Sequence, residues 1–285
     1  MTSGTNTDIL KRLEEEGRKK GLSPRFLEFY QRLLRIQSKT ELRIGRVKPV
    51  LKREVINERL ERGEPLINFG ELTLDWSLLK DVFAKVITLF ADYPDLFGEP
   101  PKSLGELKLR LSALKKATGA WFKGARLPST PAINDVNEYP LLEAIIHATV
   151  KPFLVSHSKA LINLVDQERW RRNYCPICGG GADFASLDKE RGARWLMCSR
   201  CDTEWLFQRL QCPYCGTQNQ DALAYFADDE GLYRLYVCEQ CHKYIKAIDL
   251  RHTESEILLP LERVLTLDMD RQAQEKGYKP GQSNA

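Results

Sequence analysis

The chain has 285 residues, 42% hydrophobic and 29% charged, with 43 Lys and Arg against 39 Asp and Glu for a formal net charge of +4. That length supports two domains with an ordinary core, and the charge is too small to imply nucleic acid by itself, reading instead as a mixed solvated surface. The longest apolar runs fall far short of the roughly twenty residues a bilayer requires, so no transmembrane segment is expected.

The opening segment, MTSGTNTDILKRLEEEGRKKG, carries no apolar run of the signal-peptide kind, which predicts a cytoplasmic setting. Ser23 and Pro24 read as a cap and a first-turn proline, after which Phe26, Phe29, Tyr30, Leu33 and Leu34 recur at helical spacing. Arg43 to Arg62 holds seven basic and three acidic residues among apolar ones, and a solvated helix-and-loop surface explains it better than a docking face. Asp75 caps a second helix whose Leu79, Val82, Phe83, Val86, Ile87 and Phe90 form one stripe before Pro94 ends it. Asp92 to Pro101 reads as a rigid loop, and Ser103 with Glu106 makes a capping box for a third helix bearing Leu104, Leu107, Leu111 and Leu114. Pro140 opens a fourth helix through Leu141, Leu142, Ile145, Ile146 and Val150, which Pro152 is expected to kink or interrupt before helix resumes to Leu164. His147 and His157 lie in helical surroundings without a carboxylate or cysteine cluster beside them in sequence, so neither is assigned a site. Residues 1–170 therefore read as an all-α domain.

All eight cysteines follow, in four Cys-x-x-Cys pairs: Cys175/Cys178, Cys198/Cys201, Cys212/Cys215 and Cys238/Cys241. A Cys-x-x-Cys turn points two sulfurs at one place, and two such turns complete the tetrahedral cage that zinc or iron accepts. Nineteen residues separate the first two pairs, twenty-two the last two and ten the halves, spacings that suit two zinc-ribbon or rubredoxin-like sites. Each half opens alike, CPICG at Cys175 and CPYCG at Cys212, marking an internal repeat of roughly forty residues. Proline after the first ligand fixes φ, and glycine after the second permits the positive φ that turns amides toward sulfur. Repeat symmetry predicts that each half closes its own cage, rather than the first knuckle pairing with the third.

Other readings of the cysteines fare worse. Disulfides need an oxidising compartment, and a thioredoxin-type dithiol is normally solitary within a βαβ pattern. CEQCH at Cys238 to His242 matches a c-type haem attachment signature, but would strand Cys212 and Cys215. Trp195 to Met197 and Trp205 to Phe207 flank the second knuckle as short strands, and Leu232, Leu235, Val237, Ile245 and Ile248 continue the pattern in the second repeat. Leu261, Val264, Leu265 and Asp268 to Lys276 predict one final helix, with GQSNA as a frayed tail. The expected architecture is multi-domain α with small β: an all-α domain at 1–170, metal modules at 171–208 and 209–251, and a C-terminal helix and tail at 252–285.

The run GARWLMCSRCDTEWLFQRLQCPYCG, Gly192 to Gly216, with CPICGG before it and VCEQCHKYIKAIDL after it, resembles the formate dehydrogenase accessory protein family, FdhE. Thr203-Glu204-Trp205, Arg209 and Tyr244-Ile245-Lys246 carry the likeness, which is strongest over about residues 170 to 270. LLPLERVLTLDMD after the last knuckle departs from the more acidic family pattern. The resemblance implies a tandem of two rubredoxin-like modules holding two metal ions, iron favoured over zinc. It also implies a non-enzymatic role in maturing respiratory formate dehydrogenase, by binding the catalytic subunit in the cytoplasm before export. A homodimer is compatible with that role. Glu204, Trp205 and Arg209 either touch a partner or brace the junction between modules. The absence of a Gly-rich nucleotide loop and of a catalytic constellation agrees with a chain that is not an enzyme.

Two alternatives stay open at this level. Tandem zinc ribbons serve nucleic-acid and protein-interaction modules, and Arg169, Arg171, Arg172, Arg191, Arg194 and Arg200 beside the knuckles make such a role conceivable. The near-neutral balance and the lack of an aromatic, basic stacking strip argue against it. Rubredoxin-type electron transfer, with iron, is the other.

Overall fold

Helix α1 spans Asn6–Lys19 and α2 Pro24–Ile44. Ser23 starts α2: its hydroxyl accepts the Phe26 amide at 3.2 Å, while Pro24 in the first turn has no N–H that would need a partner. The computed structural model describes residues 6–48, 51–99, 104, 110–125, 127 and 139–281. Two units divide the chain, Met1–Val47 with Asn68–His157 and Lys48–Ile67 with Ser158–Ala285.

In the first unit Asp75 caps α4, Trp76–Ala91, its Oδ1 accepting the Ser77 and Leu78 amides at 3.0 Å each. Leu79, Val82, Phe83 and Val86 are buried as the stripe predicts, although Leu89 rather than Ile87 continues it. The loop after Asp92 contains one helical turn, α5 at Pro94–Phe97, and α6 covers Leu111–Phe122. Ser103 and Glu106, the expected capping box, lie outside the described residues.

Helix α7, Tyr139–Leu161, runs through Pro152, so of the kink or interruption expected there the interruption does not occur. Proline has no N–H for the carbonyl four residues earlier, that of Ala148. Gln37, buried on α2, supplies the donor instead: its Nε2 reaches the Ala148 oxygen at 3.0 Å. A side-chain hydrogen bond thus replaces the missing backbone one, which is also what makes a buried amide tolerable.

The second unit begins with α3, Arg53–Arg62, in the stretch read as a solvated surface; Ile56 is its buried residue. Seven strands then build one sheet: β1 Ala182–Leu187, β2 Arg194–Cys198, β3 Glu204–Phe207, β4 Leu223–Ala227, β5 Tyr233–Cys238, β6 Lys243–Asp249 and β7 Lys279–Pro280. The order is β3-β2-β1-β6-β5-β4. Within each repeat the pairing is antiparallel, and the repeats meet where β1 pairs with β6 in parallel, Phe184 opposite Lys246 and Leu187 opposite Asp249. The two cysteine modules therefore share a continuous ladder, and the 208/209 boundary falls in the turn between β3 and the third knuckle.

The single final helix is in fact two, α8 Leu259–Leu265 and α9 Leu267–Glu275, broken at Thr266, whose hydroxyl donates back to the Glu262 carbonyl at 2.7 Å. Just before the expected tail β7 pairs with β6, and Gly281, the tail's first residue, lies against the Tyr214 ring so closely that no Cβ fits, while residues 282–285 lie outside the described residues. A charged network ties these helices to the sheet. Lys246 Nζ donates to the carbonyls of Arg263 and Thr266 at 3.0 and 3.2 Å and to Asp270 at 2.6 Å. Arg263 in turn bonds Asp183 and Asp202 at 2.9 and 2.8 Å and the Cys198 carbonyl at 2.9 Å.

Candidate metal centres

Each Cys-x-x-Cys forms the same turn. The residue after the second cysteine donates its amide to the carbonyl of the first: Gly179 to Cys175 at 3.0 Å, Asp202 to Cys198 at 3.3 Å, Gly216 to Cys212 at 3.1 Å and His242 to Cys238 at 2.8 Å. That residue has positive φ in all four, 71°, 54°, 76° and 52° in chain order. Glycine reaches this region freely, whereas Asp202 and His242 do so at a cost. Amides inside the turns face sulfur, those of Ile177, Arg200 and Tyr214 each lying 3.4 Å from Cys175, Cys198 and Cys212.

The turns gather the eight sulfurs into two groups, Cys175, Cys178, Cys198 and Cys201, and Cys212, Cys215, Cys238 and Cys241, each within 4.8 Å internally. Each group draws on one repeat. Sulfur separations are 3.6, 3.4 and 3.4 Å in the first and 3.7 and 3.7 Å in the second. A tetrahedron with metal–sulfur bonds of about 2.3 Å has edges of about 3.8 Å, whereas a disulfide needs about 2.05 Å. The spacing fits a four-sulfur cage around one ion and excludes a disulfide.

The two cages differ in their surroundings. In the first, all four cysteines are at most 2% exposed. A strap covers its first knuckle, the Leu66 and Ile67 amides donating to the Pro176 and Ile177 carbonyls at 2.9 and 2.8 Å. Thr203 Oγ1 lies 2.9 Å from the Cys201 sulfur and 2.6 Å from Ser158 Oγ, and Trp205, fully buried, donates its indole N–H to the Arg172 carbonyl at 2.8 Å. Desolvation, with the neighbouring sulfurs, holds the Cys175 thiol well above its ordinary pKa, so a metal entering this cage must displace protons. In the second cage Cys212 and Cys238 are buried, Cys241 is half-buried and Cys215 is exposed. Against the opposing effect of desolvation, the Thr217 amide and the adjacent thiols lower the pKa of Cys215.

Beside the second cage lies a cavity of about 30 Å³ lined by Cys212, Cys238, Arg194, Arg209, Lys243 and Tyr236 among others. Arg194 is 3% exposed, donates to the Gln208 and Gln211 carbonyls, and is drawn down to a pKa of about 10 by desolvation. Of the residues read as partner contacts or braces, Trp205 is core and Arg209 is exposed at this cavity. Glu204 is largely desolvated, and that, with Asp202 nearby, raises its pKa to about 7.

Of the six arginines read beside the knuckles, Arg172 and Arg191 are exposed and the other four are buried or paired with acids. Arg194 and Arg200 are buried, Arg169 pairs with Asp166 and Glu61, and Arg171 pairs with Glu168. His147 stacks on Trp121 at 5.6 Å and His157 Nδ1 lies 2.8 Å from the Phe153 carbonyl, both roles in packing. What sequence reasoning missed is the Leu66–Ile67 strap and the Arg263 clamp on the second knuckle, both too distant in sequence for local patterns to announce. Among the described residues no helix is long and apolar enough to cross a membrane.

Comparison with known proteins bears on the cysteine half most directly. The family model described as FdhE, central domain, matches residues 174–209. An FdhE homolog of Aquifex aeolicus is 41% identical over 118 residues, 40% of this chain and 41% of that protein. One from Shewanella oneidensis is 32% identical over 123 residues, 41% of this chain and 40% of the relative, and Escherichia coli FdhE is 26% identical over 112, 38% and 35%. The chain thus matches about two fifths of the length of these relatives. The crystal structure of the FdhE protein from Pseudomonas aeruginosa superposes with a TM-score of 0.61 at 20% identity, covering 98% of this chain and 95% of that one, a likeness of fold. Helices followed by a sheet with two tetra-cysteine clusters are therefore the architecture of both the sequence expectation and the structure.

Proposed function

We propose, from the similarity of its cysteine-rich half to FdhE proteins, that this chain belongs to that family and is a non-catalytic accessory factor for a respiratory formate dehydrogenase. It binds the catalytic subunit in the cytoplasm before export and carries one metal ion in each tetra-cysteine cage. The observation that supports this most is the pair of cages, whose sulfur separations of 3.4 to 3.7 Å suit tetrahedral thiolate coordination.

Cys175, Cys178, Cys198 and Cys201 hold the first ion and Cys212, Cys215, Cys238 and Cys241 the second. Iron is the resident metal and zinc its substitute, a choice resting on the family since the cage accepts either. When bound, iron supplies one-electron chemistry and both metals supply folding free energy. The chain's own part is to gather the sulfurs, through knuckles whose positive-φ residues aim amides at them, and to exclude water from the first cage. The desolvated Cys175 thiol opposes charge until metal replaces its proton.

Replacing Cys198 and Cys201 together with serine removes half of the first cage and should unfold that repeat. Co-purification of the variant with the formate dehydrogenase catalytic subunit, and recovery of formate oxidation in a null strain, test the role. Loss of both is expected, and wild-type levels of both would refute the proposed role of the cages. The nucleic-acid alternative is disfavoured by the buried and acid-paired arginines; tight, salt-sensitive DNA or RNA binding would revive it.

A further inference from the structure

The two cages have the same sulfur set but opposite access. The first is covered at one knuckle by the Leu66–Ile67 strap, and all four of its cysteines are buried. In the second, Cys215 is exposed and Cys241 half-buried, and the adjoining cavity of about 30 Å³ reaches Cys212 and Cys238. Ligand exchange at a metal–thiolate centre requires an incoming donor to approach the ion or a departing sulfur. Only the second cage offers that approach among the described residues. Arg194, Arg209 and Lys243 line the cavity and no carboxylate does, so its charge favours an anionic donor.

We infer that the second tetra-cysteine cage is the centre through which this protein exchanges metal, with an anionic chelating or thiolate ligand as the exchange partner, while the first cage is a closed structural site. This rests on the reading that both cages hold metal. In the exchange the ion passes from four sulfurs to the donors of the incoming ligand, and the released thiolates take protons from water or react with an added alkylating agent.

The test uses the full chain loaded with zinc, challenged separately with EDTA, an anionic chelator, and with phenanthroline, an uncharged one, while N-ethylmaleimide traps freed thiols for peptide mass spectrometry. One zinc per chain should leave in a fast phase with labels on Cys212, Cys215, Cys238 and Cys241, and the second zinc should leave at least roughly tenfold more slowly. Arg209 is exposed, so Arg209→Glu should fold normally; it should slow the fast phase with EDTA by about threefold or more, and leave the phenanthroline rate unchanged. A single phase for both ions, or first labelling at Cys175, Cys178, Cys198 or Cys201, would overturn the inference. Equal EDTA rates in wild type and Arg209→Glu would overturn the anionic route. Protein that retains no zinc on loading would instead refute the metal reading itself, and is told apart by the metal content before any challenge.

Discussion

Replacing Gln37 with leucine should weaken the helical unit through a single carbonyl. Gln37 is 8% exposed and its Nε2 lies 3.0 Å from the Ala148 oxygen, the acceptor that Pro152 leaves without its helical donor. Leucine has similar volume, so the main loss is that hydrogen bond and the orphaning of a buried carbonyl, about 1–3 kcal/mol. Pro152→Ala restores the backbone N–H four residues along, so in that background Gln37→Leu should cost less than about 0.5 kcal/mol, a coupling that a double-mutant cycle isolates. Urea unfolding of the metal-loaded chain, followed by far-ultraviolet circular dichroism, reads all four proteins. Equal costs of Gln37→Leu in both backgrounds would refute the argument that the glutamine stands in for the proline's missing donor.

Two further substitutions probe the cysteine half. His242→Gly, at φ 52° directly after the last ligand, should stabilise the second repeat by up to about 1 kcal/mol in thermal unfolding, and a loss of stability would show that the imidazole does more than occupy a strained position. Glu204→Gln should raise the midpoint of thermal unfolding at pH 8 and do so progressively less toward pH 5. The sign follows from a folded pKa of about 7 against an ordinary value of 4.5: the native state holds this proton more tightly, so stability is lost as pH rises between those values, by on the order of 1–3 kcal/mol. A pH-independent difference would refute it.

Local chemistry made part of this structure legible. Ser23 and Asp75 announce their helices because a cap satisfies amides two or three residues away, and the cysteine pairs announce cages because the turn itself converges the sulfurs. Proline and glycine in CPICG and CPYCG reveal two of the knuckles. Asp202 and His242 hold the same positive φ but carry no such signature, since neither residue requires it. Longer-range terms hid the rest. Pro152 obeys its local rule, yet a glutamine far along the chain satisfies the carbonyl it orphans. Periodicity marks short strands but not their partners, so the parallel β1–β6 pairing that merges the repeats had no sequence sign. The difference in access between the cages was equally invisible, because the four pairs look alike in sequence and the strap over one of them comes from Leu66 and Ile67.

The central claim, that each repeat closes a four-sulfur cage on one ion, is tested most directly by metal analysis of protein purified from native cells without added metal, together with its absorption spectrum. Two ions per chain are expected, with the strong visible absorption of iron–tetrathiolate. A colourless preparation with two zinc ions would contradict the choice of iron, and a folded, active chain holding no stoichiometric metal would contradict the account of the cages themselves.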